Sequence, residues 1–256
     1  MIRYWRLFAL AVALSVSAAI PQSALAQVRV MTSGGFAAPL REMLPQFEKA
    51  SGISVEVILG KSQGAGPQTI SAQLGRGVAA DIVIMSREGL NDLMSANRIV
   101  AHSDIDLART PLGLAVRAGS AKPDIGTVEA FKNTLLHARS VTYPSSTTGI
   151  YMATKLFPRL GIARAVIPKS SNAGIAAVAK GDAEIAIQPV SELLHVPGTD
   201  FVGTLPKQIQ YISVFSAARV AGSARSADAQ KLMTFMRSAK AQEAIRNSGM
   251  EPFPSH

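Results

Sequence analysis

Short β-prone runs alternate with amphipathic helical stretches along most of this chain. Residues 28–32 (VRVMT) read as a strand. Residues 37–50 set Leu40, Met43, Leu44 and Phe47 on one helical face, and Ser51-Gly52 ends that helix. Residues 53–59 alternate as a strand does, 60–66 form a glycine-rich turn, and 67–76 read as a helix with Ile70 and Leu74 inward. Residues 81–85 (DIVIM) are a short buried-type strand, and 87–96 return to a helix. This βαβαβα order predicts a parallel sheet covered by helices.

The second half continues the alternation. Strands are predicted from residue 112 to 116, 141 to 143, 183 to 187 and 209 to 215, and helices at 128–136, 150–160, 172–180 and 227–247. Residues 196–207, with Pro197, Gly198, Gly203 and Pro206, read as loop-rich. No tandem repeat and no low-complexity linker interrupts the pattern.

The first 26 residues stand apart. Arg3 and Arg6 precede an apolar run from Leu7 to Ile20, and Ala24-Leu25-Ala26 is a small-x-small cleavage pattern. The run is short for a membrane span, so residues 1–26 are expected to be a cleaved export signal. The mature protein is expected in the periplasm, as a monomer with no stable membrane insertion. Removing Arg3 and Arg6 leaves a formal charge of +7 out of +9. The Lys and Arg residues are scattered and not interleaved with aromatics, which argues against nucleic acid while leaving a field that draws anions.

There is no cysteine, which excludes disulfides, thiolate catalysis and cysteine–zinc sites. His102, His137, His195 and His256 lack metal-ligand spacing, so no metal or cofactor is expected. Gly34-Gly35 lacks the GxGxxG spacing, and Gly60-Lys61-Ser62 lacks the upstream glycine of a P-loop, which excludes ATP.

Four polar turns follow predicted strands, where open α/β sheets bind ligands. They are Ser33-Gly34-Gly35, Lys61-Ser62-Gln63-Gly64, Ser86-Arg87, and Ser145-Ser146-Thr147-Thr148-Gly149. Each offers hydroxyls and helix-terminal N–H groups to an anion. Each also has a bland reading, because Ser and Thr before a helix commonly serve as caps. Lys61 either faces the cleft or solvent. Arg87 either meets a ligand or pairs with Glu88 or Asp81. Gln188 is either a cleft residue or a polar strand end, and His195 reads as structural.

The order and spacing of several segments carry a resemblance. They are the strand-Ser33 turn, 47–52, 60–66, 79–84 (AADIVI), 143–149, 181–186 (GDAEIA) and 229–249. Together they resemble the type II periplasmic binding proteins, in particular the molybdate-binding branch. That resemblance implies an α/β fold of two lobes, each a mixed, mainly parallel sheet with flanking helices. Lobe one is expected to hold 27–112 and 216–256, and lobe two 113–215, with crossing strands near 109–117 and 210–220. A ligand gripped between lobes and delivered to an ABC permease is the implied function.

Molybdate receptors of this kind use neutral donors, and Ser33, Ser62 and the 145–149 turn match such positions. Gln188 stands where the family has a tyrosine. Lys61 and Arg87 are extra cations, suited to separated carboxylates. An organic polycarboxylate is therefore the first expectation and an oxyanion the second. The broad group also includes a periplasmic aconitate isomerase, which is the alternative role, with Lys61 as candidate base.

Overall fold

The computed structural model describes residues 27–254, so the expected export signal at 1–26 lies outside the described residues. Elements run β1 (Val28–Ser33), α1 (Gly34–Ser51), β2 (Val55–Gly60), α2 (Ile70–Gly75), β3 (Ile82–Ser86), α3 (Arg87–Ser95), β4 (Ile105–Arg117) and α4 (Val128–His137). They continue with β5 (Val141–Thr142), α5 (Thr147–Tyr151), a π-helical turn (Met152–Leu156), α6 (Phe157–Arg159), α7 (Ala163–Val166), β6 (Ser170–Ser171) and α8 (Ile175–Lys180). The chain ends through β7 (Ile185–Pro189), α9 (Val190–Leu193), β8 (Thr199–Thr204), β9 (Ile212–Arg219), α10 (Ser226–Phe235), α11 (Ala239–Asn247) and β10 (Glu251–Pro252).

The strands lie in the order β2-β1-β3-β9-β4-β7-β5-β6, with β8 and β10 both added to β4. β1 is parallel to β2 and β3, and β5 is parallel to β6 and β7, as the βα alternation predicts. β9 and β4 run antiparallel to their neighbours. Of the two, β4 is shared between the two halves. β4 pairs with β9 from Ile105 to Pro111 and with β7 from Leu112 to Val116. One continuous strand thus belongs to both lobes of the two-lobe fold.

Each lobe has its own core. Val30, Ile82 and Ile84 pack with Phe36, Leu40, Phe47 and Leu232 on one side of the first sheet. Met31, Val83 and Met85 pack with Ile70, Leu90 and Leu93 on the other. Both faces are covered by helices, which is why 82–85 is apolar at every position rather than alternating. In the second lobe Leu112, Leu114 and Ile187 join Phe131, Leu156 and Phe157, while Ala115, Ala186 and Val178 fill the opposite face.

Three local expectations are corrected. The loop-rich stretch 196–207 contains β8, which hydrogen-bonds to β4; its Gly203 and Pro206 obscured an edge strand. The final helical region is two helices, since Ser238 interrupts the run to accept a bond from the Ala241 N–H as the cap of α11. The helix expected at 150 begins at Thr147, because the Ser-Thr run forms its first turn rather than a preceding loop.

Candidate functional site

The C-terminal ends of β1, β2, β3, β5 and β7 all meet at one cavity of about 260 Å³ between the lobes. This is where ligands of open α/β sheets bind. Its first wall carries Ser33, Gly34, Gly35, Gly60, Lys61, Ser62 and Ser86, and its second carries Ser145, Ser146, Thr147, Thr148, Asn172, Gln188 and Glu192. Ser213 and Phe215, at the start of β9, complete it.

The hydroxyls differ in what they do. Ser33 stands at the N-cap of α1 yet makes no side-chain capping bond, and its buried Oγ has no protein partner. Helix α1 therefore opens towards the cavity with unpaired N–H groups and an idle hydroxyl, where partial positive charge favours an anion. Ser86 does cap: its Oγ accepts from the Gly89 N–H at 3.2 Å and also bonds Thr147 Oγ1 at 2.8 Å. Ser62 Oγ is occupied as well, accepting from the Ser86 N–H at 2.9 Å. Ser146 precedes α5 without a side-chain cap.

Several bonds cross between the lobes. Lys61 Nζ donates to Ser145 Oγ at 2.8 Å, Thr147 Oγ1 donates to Gln63 Oε1 at 3.1 Å, and Ser191 Oγ donates to the Gly35 carbonyl at 3.1 Å. Gly64 lies so close to the Ser145 carbonyl that a Cβ would collide with it, and its φ of +99° is one that glycine adopts freely. The two walls touch, so the lobes stand in a closed arrangement around a cavity that stays partly open.

Ten of the eleven expected ligand residues line this cavity. Arg87 does not. Although it follows Ser86, α3 directs its guanidinium outward, where it meets Asp104 at 2.8 Å and forms a second, shorter pair with Asp106. Burial opposes its charge, but the bonds and charges of Asp106 and Asp104 outweigh that and hold the guanidinium above its ordinary pKa. Asp106 is further held by Ser216 Oγ at 2.6 Å. Two carboxylates thus claim the cation that was expected in the cleft, leaving Lys61 as the cavity's one basic side chain.

Sequence reasoning missed Asn172, Ser213, Phe215 and, the one charged group among them, Glu192. It sits in the short helix α9, and its carboxyl faces the first turn of α1: a Cβ placed on Gly35 would lie 3.1 Å from Glu192 Oε1. Gln188 Nε2 donates to Glu192 Oε2, while Gln188 Oε1 is buried without a partner. Desolvation raises the Glu192 pKa above the ordinary carboxylate range, and the Gln188 bond only partly offsets it. No sequence signal marked it, because Gln188 lies on strand β7 and Glu192 in a four-residue helix too short to show a periodic pattern. Gly35 is also needed for packing, because any Cβ there would strike the Phe215 ring.

Among the described residues no group of acidic and histidine side chains could hold a metal, and no helix is long and apolar enough to cross a membrane.

The profile of bacterial extracellular solute-binding proteins matches residues 28–251. An aconitate isomerase from a Pseudomonas species is 36% identical over 230 residues, covering 88% of each chain. Among solved structures, a periplasmic thiamin-binding protein superposes with a TM-score of 0.71 at 15% identity, over 90% of this chain and 84% of its own. The periplasmic molybdate-binding protein of Azotobacter vinelandii superposes with a TM-score of 0.66 at 18% identity, over 88% and 98%. Together with the two lobes around a shared cleft, these likenesses establish that the chain belongs to the bacterial extracellular solute-binding protein family and has the type II periplasmic binding fold.

Proposed function

We propose that this protein captures a small polycarboxylate between its lobes outside the cytoplasm and isomerises it, as an aconitate isomerase. The observation that carries the reading is a cavity in which one cation, Lys61, stands among neutral donors and the open N-terminus of α1, with the Glu192 carboxyl on the facing wall. Such a site calls for an anion. Its volume of about 260 Å³ approaches the range of pockets for small organic ligands, roughly 300–1,000 Å³, and exceeds what a five-atom oxyanion fills.

The reaction is supported by a relative named aconitate isomerase at 36% identity over most of both chains. Aconitate carries three carboxylates on a short unsaturated frame, and its cis and trans forms interconvert when an allylic proton leaves one carbon and a proton returns at another. This needs an enclosed, anion-holding cleft and a group that accepts and returns a proton. No cofactor is required.

A second reading has its own support. The bonds Lys61–Ser145 and Ser191–Gly35 close the lobes over the cavity, as capture for delivery to an ABC permease requires. The family match favours such a receptor equally well.

One experiment separates the two. The protein lacking residues 1–26 is melted with molybdate, sulfate, citrate, cis-aconitate and trans-aconitate, since a ligand that binds only the folded state raises the melting temperature. Aconitates then go to NMR. Stabilisation by cis- or trans-aconitate with interconversion supports the isomerase. Stabilisation without interconversion leaves the receptor, and stabilisation by molybdate alone defeats the polycarboxylate reading.

A further inference from the structure

We infer that Glu192, rather than Lys61, is the catalytic residue that carries the proton during isomerisation, with Gln188 positioning its carboxyl. The inference rests on the isomerase reading above and names the acid–base group within that site.

The geometry separates the two charged residues of the cavity. Lys61 Nζ is bonded to Ser145 Oγ, which keeps it a hydrogen-bond donor and fits it to hold a carboxylate. Glu192 lines the same cavity on the opposite lobe, and its hydrogen-bond partner there is Gln188. In a receptor that merely holds anions, a carboxyl at this place opposes binding. It is useful where a proton must be taken and returned.

The surroundings suit that task. Glu192 faces Gly34 and Gly35 of α1, neither of which has a side chain, and Gln188 on β7 is neutral. Ser33 and Ser191 beside them add only hydroxyls, so Lys61 is the other charged side chain lining the cavity. Desolvation raises the Glu192 pKa, which makes the ionised form a stronger base than an exposed carboxylate.

Gln188 serves both states. Its amide donates to the ionised carboxylate through Nε2; turned over, it accepts from the protonated carboxyl through Oε1 and offers Nε2 to the ligand. One side of this amide is buried without a protein partner, so the turn breaks no other bond within the protein.

The step balances without a co-reactant. The ionised Glu192 carboxylate takes a proton from the methylene carbon of aconitate. The C–H electron pair enters the allylic system and spreads onto the adjoining carboxylate held by the donors. The former vinylic carbon then takes a proton from the Glu192 carboxyl. The double bond moves by one carbon, and Glu192 is again ionised.

The test uses the protein from residue 27 onward with cis-aconitate, following turnover by NMR and binding by calorimetry. E192Q is expected to lower kcat by about 10²–10⁴-fold while Kd changes by less than about fivefold. K61M is expected to weaken binding more than it lowers kcat. E192D, which keeps an acid on a shorter arm, is expected to retain measurable turnover, and this arm decides the matter if E192Q does not fold. Turnover by E192Q within tenfold of native, or a loss of binding as large as its loss of rate, overturns the role of Glu192 and leaves the isomerase reading standing. An E192D protein as inactive as E192Q overturns it too. Native protein that binds cis-aconitate without interconverting it overturns both.

Discussion

Lys61 on the first lobe donates a 2.8 Å hydrogen bond to Ser145 Oγ on the second, 84 positions further along the chain. The bond joins the two walls of the cavity, so the one cation of the site also ties the lobes together.

Replacing Lys61 by Met removes both contributions. Hydrogen bonds to charged groups contribute about 1.5–3 kcal/mol, so the Kd for cis-aconitate is expected to rise roughly 10- to 150-fold by calorimetry. An unchanged Kd would remove Lys61 from the ligand set.

Arg87→Met is expected to act differently. Its guanidinium serves Asp104 and Asp106, outside the cavity. Loss of these partly buried bonds is expected to cost about 1–3 kcal/mol, with about 2–4 °C of melting temperature per kcal/mol in a chain of this size. Ligand Kd should stay within about threefold. A large loss of affinity with unchanged melting temperature would return Arg87 to the site.

Gly64→Ala tests closure. Any Cβ at residue 64 meets the Ser145 carbonyl of the other lobe, and the φ of +99° disfavours a side chain. The variant should bind the ligand at least about tenfold more weakly, a cost of about 1.4 kcal/mol. Small-angle scattering with ligand should show a wider particle than the native complex. Native affinity in Gly64→Ala would mean that the close approach is unimportant for binding.

The raised pKa of Glu192 has a sign in stability. The folded state holds this proton more tightly than the unfolded chain does. Its contribution is complete below the unfolded carboxylate pKa of about 4.3 and is lost as pH climbs through the higher folded value. E192Q carries no such dependence. Its melting temperature without ligand should match the native one near pH 4 and exceed it by at least about 2 °C at pH 8. A gap that narrows with rising pH would contradict the raised pKa.

Activity follows the same group in the opposite sense. Glu192 must be ionised in the free protein to take the first proton, so kcat/KM is expected to fall with acid along a limb centred above about 4.3. The limb should vanish from the residual rate of E192Q. A profile flat from pH 4 to 7 would exclude a carboxyl base.

Much of the cleft was legible because strand ends announce themselves. Ser33, Ser62, Ser86 and the 145–148 turn each follow an apolar run and precede a helix, and the order of βα units sends such ends to one edge of a sheet. Gln188 was legible for the same reason, as the polar residue near the end of β7. Glu192 was not: it lies in a helix of four residues that has no periodicity to read, and a carboxyl runs against the sign of an anion site. Arg87 misled for the converse reason, since adjacency to Ser86 says nothing of the direction in which α3 points a long side chain.

Local pattern was enough for the α/β alternation and the polar turns at strand ends, because backbone periodicity and capping act over a few residues. The partner of each charge depended on contacts between distant segments. Arg87 met Asp104 and Asp106, Lys61 met Ser145, and Glu192 met Gln188 beside the first turn of α1. In a low-dielectric cleft the worth of a charge depends on what it faces, and that is settled only when the lobes fold against one another.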